Sequence, residues 1–261
     1  MESSKIGWLN GGNTFNPWIG CRPVSAACAN CYAKRENARR GWCEDFNRDR
    51  HVTSDTYWRQ PLLWNKRSDP ARPTLVFCGS LCDVFEADTA LVEPRRRLAD
   101  LVLKTPNLLW LLLTKRPENI RIMERSLWGQ YGVWPQNAWC GCTVENQKAA
   151  DERISYLLDI PCAGRFVSCE PLLEVVDIER HLRGDDLGRG IDWVIAGGES
   201  GNGPGIRETT HFAFKKLWRD CGCHGVPFFF KQFGDRFPDD LKKKDVPFSR
   251  CKEFPERFGI V

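Results

Sequence analysis

The sequence predicts an α/β fold: a full or partial (β/α) TIM-type barrel with a cysteine-bearing loop after its first strand. Three observations carry this. Short apolar runs rich in β-formers alternate with stretches of helical periodicity, the runs recur at nearly constant intervals, and polar or charged residues come directly after each run.

The runs are Thr14–Gly20, Thr74–Phe77, Leu108–Leu113, Ala138–Cys142, Arg165–Ser168, Asp192–Ala196 and Pro227–Phe230. From the second onward their starts are 34, 30, 27, 27 and 35 residues apart, the length of a strand and helix returning to a parallel neighbour. Continuous apolar runs suit parallel strands buried on both faces. Between them, Leu91–Leu103, Ala149–Leu158 and His211–Cys221 carry helical spacing, with Pro94 suited to a first turn. The first interval is about twice as long, so a segment is inserted after strand one. An open doubly wound sheet shares this rhythm and is the alternative. The expected organisation is one barrel domain over 1–261, with a core at about 8–235 and a C-terminal extension at 236–261.

The residues at the ends of the runs favour the barrel. The ends lead to Cys21; to Ser80 and Asp83; to Thr114, Lys115 and Arg116; to Thr143, Glu145 and Asn146; to Glu170; to Gly197, Gly198, Glu199 and Ser200; and to Lys231 and Gln232. A parallel barrel gathers these positions on its C-terminal rim, where its active sites form. One polar strand end could be a helix cap; seven read as a ligand pocket.

Composition narrows the class. The chain has 261 residues, 42% apolar and 28% charged, as ordinary globular proteins do. The start MESSKIGWLNGG has no apolar signal region, and the densest apolar run is too short for a bilayer, so no membrane role is expected. Thirteen cysteines, an odd number, argue for a reducing, cytoplasmic compartment with metal-bound or buried thiols rather than a disulfide scaffold. A net charge of +4 is compatible with nucleic acid but is not the footprint of a dedicated binder.

The segment TFNPWIGCRPVSAACANCYAKRENARR holds Cys21, Cys28 and Cys31, spaced C-x6-C-x2-C. Three thiolates in a compact loop can hold three irons of a [4Fe-4S] cubane and leave the fourth open. An open iron can chelate the amino and carboxylate groups of S-adenosylmethionine, whose reductive cleavage yields a radical that abstracts hydrogen. Two other readings stand beside this. One is a Cys3His zinc site completed by His51; the other is buried, inert thiols.

Here the sequence resembles a widespread family of phage and bacterial three-cysteine proteins, labelled as a phage protein family and related to radical S-adenosylmethionine enzymes. Beyond the cysteine loop, the motifs LLTKRPENI, TVENQKAADERI, SCEPLL, IDWVIAGGESG and VPFFFKQFG carry the resemblance, in order, over residues 8 to 235. It implies a radical-enzyme barrel with its cluster on the first loop, working in the cytoplasm (the host's, if phage-encoded). An external electron donor such as flavodoxin or ferredoxin would be needed. There is one departure: Gly197, Gly198 and Glu199 look like the Gly-Gly-Glu that contacts the methionine amino group, but they come after the sixth strand rather than the second. Ser80 and Asp83 hold the second-strand position. The pool for S-adenosylmethionine contacts is therefore Ser80, Asp83, Glu145, Glu170, Gly197, Gly198 and Glu199.

Lys115 and Lys231 are candidates for a carboxylate or phosphate of the substrate, and Cys142 (or Cys82) for returning a hydrogen atom to it. Basic clusters occur at Lys34, Arg35, Arg39 and Arg40, at Arg95–Arg97 and at Lys242–Lys244, and are read first as solvated faces. The first precedes the aromatics Trp42, Phe46, Tyr57 and Trp58, a mixture that can track a phosphate backbone and stack a base. DNA or a modified nucleobase is the expected partner. The resemblance extends this to thymine hypermodification, with an isomerase moving a glycyl attachment from nitrogen to carbon. The rivals are a DNA-repair-type radical lyase and a zinc-stapled nucleic-acid-binding module without catalysis.

Overall fold

The expected strand rhythm resolves into one seven-stranded sheet. The structure is a computed structural model and describes residues 4, 6–128, 133–185, 188–201, 203–238 and 246–259; the Lys242–Lys244 run lies outside them. The sheet contains β1 (Asn13–Phe15), β4 (Thr74–Cys78), β5 (Leu108–Thr114), β6 (Ala138–Thr143), β7 (Arg165–Cys169), β8 (Trp193–Gly197) and β9 (Phe228–Gln232), paired in that order. Every pairing is parallel. The result is a half-barrel, the partial form of the expected architecture.

The first run is not one strand. Pro17, which has no N–H and a fixed φ, ends β1, and Trp18–Ile19 forms a separate strand, β2. It pairs antiparallel with β3 (His51–Val52). The insertion between β1 and β4 also holds α1 (Tyr32–Arg40), α2 (Asp55–Trp58) and α3 (Gln60–Arg67). The crossover helices beyond it are α4 (Val92–Leu103), α5 (Ile120–Leu127), α6 (Gln147–Leu158), the short α7 (Glu179–Leu182) and α8 (His211–His224). Asn146 and Thr210 cap α6 and α8 through side-chain oxygens that accept from the third residue on.

Alternation divides each strand between two cores. Val76, Trp110, Leu112, Cys140, Cys142 and Val167 face the helices. Leu75, Phe77, Leu111, Trp139, Phe166 and Trp193 fill the concave side. The two ends of the chain complete that inner core. Trp8 lies 4.8 Å from Phe77, and Phe258 packs 4.8 Å from Trp139 and 5.2 Å from Trp193, centroid to centroid. The segment after β9 also covers that strand's outer edge, where Phe230 N donates to Cys251 O at 2.9 Å. An edge left bare would offer unpaired backbone groups. Among the described residues, no helix is long and apolar enough to cross a membrane.

Candidate active site at the cysteine loop

Above the aromatic layer, the same concave face turns polar. At the C-terminal strand ends, inward positions become Thr143, Ser168 and Lys231, and with the cysteine loop they enclose a cavity of about 520 Å³. Trp8 and Phe77 line it too, as an apolar floor.

Cys21, Cys28 and Cys31 all line this cavity as half-buried free thiols. Gly20 delivers the chain to them with φ +113, and a Cβ there would lie 2.1 Å from Asp49 O, so only glycine fits. Burial and the Asp83 carboxylate push the Cys21 thiol up to about 12, against the pull of Arg116. Among the described residues, no three His, Cys, Asp or Glu side chains converge where one metal ion could be held, as zinc requires. His51 is exposed on β3. In a cubane each thiolate takes its own iron, so three separate thiols around one cavity fit a cluster's donor set.

The loop is tied down from both sides. On one, Arg116 Nη2 donates to Arg22 O at 2.6 Å and Nη1 reaches Cys21 Sγ at 3.7 Å. Asp83 holds that guanidinium at 2.9 Å. On the other, Asn30 Nδ2 donates to Glu199 Oε2 at 2.9 Å and to Gly205 O at 2.8 Å. Arg207 grips Glu199 through its backbone N at 2.8 Å and its guanidinium, and donates to Ala26 O at 3.0 Å. Burial alone would raise Glu199; Arg207 instead holds it below the usual carboxylate range.

Ser80, Asp83, Lys115, Glu170, Gly198, Glu199 and Lys231 also line the cavity. Their freedom differs. Ser80 exchanges hydrogen bonds with the Asn16 side chain, and Glu170 is paired to Lys231. Lys115 Nζ donates to Thr143 Oγ1 at 3.4 Å and, among the described residues, forms no ion pair. Gly198 allows a close backbone approach, since a Cβ there would lie 2.0 Å from Phe233 O.

Four expected residues do not reach the cavity wall. Cys142 is fully buried on the helix-facing side of β6, because alternation puts Thr143 on the inner side; Cys82 lies in the same outer core. Glu145 is buried beneath the rim and paired at 2.7 Å with Arg153. Gly197 stands behind Glu170, its would-be Cβ 3.4 Å from that carboxyl carbon. The inserted aromatics are corrected too. Trp58 is 3% exposed, edge-on to Phe15 and covered by Arg97, so it cannot stack a base. Phe46 is buried, and Tyr57 stacks on Phe15. Trp42 is half-buried, packed against the cluster that contains Phe46 and lying under Arg40. Arg95 is no surface charge either, being buried and bonded to Val84 O and Glu86 O.

Sequence reasoning passed over Asn30, Tyr32, Ser168 and Arg207. Tyr32, next to Cys31, donates to Ser80 O at 2.5 Å, and adjacency to the motif could have marked it and Asn30. No sequence signal marks Arg207.

A family model described as a protein of unknown function (DUF5131) matches residues 3–250. The chain belongs to this family. No curated protein matches it significantly. Among solved structures, a spore photoproduct lyase mutant with bound AdoMet and dinucleoside spore photoproduct is similar, with 11% identity and a TM-score of 0.48. The likeness covers 79% of this chain and 60% of that one, so the chain spans three-fifths of the length of that structure.

Proposed function

We propose that this chain is a radical S-adenosylmethionine enzyme whose Cys21, Cys28 and Cys31 ligate a [4Fe-4S] cluster. One observation carries the reading: three free thiols from a single loop line one cavity at the C-terminal ends of a parallel half-barrel. A cluster with S-adenosylmethionine, when bound, supplies one-electron cleavage of the sulfonium and hydrogen-atom abstraction.

The chain's own residues bind, orient and shield. The Glu170–Lys231 pair offers a carboxylate to the methionine ammonium and an ammonium to its carboxylate. Lys115, whose side chain has only a hydroxyl partner among the described residues, provides positive charge for a carboxylate or phosphate of the substrate. Trp8 and Phe77 keep water out from below. The substrate proposed is a nucleobase carried in DNA, flipped out to reach the cavity. Exposed Arg39 and Arg40 of α1, just after the cysteine loop, support it. The reaction proposed is rearrangement of a modified thymine, as an isomerase, and the product formed on turnover distinguishes it from lyase chemistry on the same frame.

Anaerobic reconstitution with iron and sulfide, reduction, and incubation with S-adenosylmethionine test the reading. Brown, iron-loaded protein that forms 5′-deoxyadenosine and methionine is expected. Stoichiometric zinc without iron, or a loaded cluster that never cleaves S-adenosylmethionine, would overturn it.

A further inference from the structure

Four cations line the cavity: Arg22, Lys115, Arg116 and Lys231. Among the described residues, Arg116 has the one side chain of the four that donates to a cysteine of the loop, its Nη1 3.7 Å from Cys21 Sγ, while Cys21 Sγ itself donates to Arg22 O at 3.5 Å. The contact is held rigidly. Arg116 and Asp83 are 6% and 5% exposed, and their ion pair is 2.9 Å long. Asp83 cannot turn away, because it also accepts from Thr114 Oγ1 at 2.6 Å, Lys115 N at 3.0 Å and Phe85 N at 3.0 Å. Arg116 in turn donates from its backbone N to Thr114 Oγ1 at 2.9 Å. Among the described residues, the thiols of Cys28 and Cys31 have no hydrogen bond, so the three sulfurs are not equivalent. Glu86 lies 4.0 Å from Arg116 Nη2. Glu86 keeps its pair with Arg50, so without the guanidinium the carboxylate left without an ion-pair partner is Asp83.

We propose that Arg116 is a positioning residue that sets the reduction potential of the cluster through the Cys21 sulfur, with Asp83 fixing its aim. This rests on the cluster assignment to Cys21, Cys28 and Cys31. Reduction adds negative charge to the cluster, and a cationic donor beside one sulfur stabilises the reduced form more than the oxidised one. Asp83 acts in the opposite direction, as a buried negative charge paired with that guanidinium. The two residues should therefore shift the potential in opposite senses. A purely structural role would not do that, since loss of either partner would loosen the same loop.

The test is a potentiometric EPR titration of the reconstituted full chain without S-adenosylmethionine, with iron content measured in parallel. In Arg116→Gln the one-electron reduction equilibrium should become about tenfold less favourable, a fall of about 59 mV. Asp83→Asn should raise the potential, and Arg116→Lys should recover part of the wild-type value. If Arg116→Gln fails to load iron, Arg116→Lys and Asp83→Asn decide the matter. Wild-type potentials in the iron-loaded variants, or shifts of the same sign in both directions of charge change, overturn the proposal while leaving the cluster assignment intact. A wild-type chain that takes up no cluster fails the cluster assignment instead.

Discussion

Asn30, between Cys28 and Cys31, donates to Glu199 Oε2 at 2.9 Å and so ties the cysteine loop to the end of β8 across 169 residues of sequence. Glu199 is itself gripped by Arg207, which also donates to Ala26 O of the loop. The Gly-Gly-Glu segment thus braces the cysteine loop while its carboxylate borders the cavity.

Glu199→Gln should loosen that brace. Losing a charged hydrogen bond costs roughly 1.5–3 kcal/mol, at the low end here because Arg207 is partly exposed. Faster amide exchange over residues 26–31 and less iron retained per chain are expected. Unchanged exchange would show that the loop is held by other interactions. Because Glu199 is held below the usual carboxylate range, its contribution is present at neutral pH. It disappears as pH falls through that lowered value.

The cysteines should divide by position. Single replacement of Cys21, Cys28 or Cys31 by Ala should abolish the iron chromophore, since each iron requires its thiolate. Cys223→Ala, at an exposed site on α8, should keep it. Visible absorption after anaerobic reconstitution reads both results.

Glu145 and Glu170 should part company. Glu145→Gln leaves Arg153 buried and unpaired, at a cost of about 3–5 kcal/mol in unfolding free energy, with S-adenosylmethionine affinity unchanged. Burial would raise Glu145, but Arg153 holds it low, so its stabilisation is complete above the ordinary carboxylate pKa. It is lost as pH drops below that range, and the variant's acid limb should be flatter. Glu170→Gln should weaken S-adenosylmethionine binding instead. Calorimetric titration of both variants separates the two roles.

DNA binding, if it uses α1, should be salt-sensitive. Replacing Arg39 and Arg40 with Ala should reduce the slope of log affinity against log salt by about 0.9 for each phosphate no longer neutralised. Trp42→Ala should weaken base stacking, while Trp58→Ala should lower the melting temperature, because Trp58 packs on Phe15. A slope identical to wild type would remove α1 from the interface.

The strand–helix rhythm and the cysteine loop were legible in the sequence because both are local: parallel strands buried on two faces read as short apolar runs, and three cysteines in one loop read as spacing. The rim was partly legible for the same reason. Ser80, Asp83, Lys115, Glu170 and Lys231 do gather on one cavity once the strands lie parallel. The face on which a strand-end residue lands is set by a register of two, and a displacement of one residue sends Cys142 to the helices and Thr143 to the cavity. Partners distant in sequence were not legible at all. Arg116 beside Cys21, Arg153 on Glu145 and Asn30 on Glu199 depend on how the chain folds back over the half-barrel. Trp58, basic-flanked in sequence, became core because Phe15 and Arg97 enclose it. The sequence by itself determined the α/β class, the run of parallel strand–helix units and the three-cysteine loop after the first strand. Only the tertiary structure decided which charges cancel within buried pairs and which side chains remain to meet a ligand, because ion pairing and burial are properties of neighbours in space.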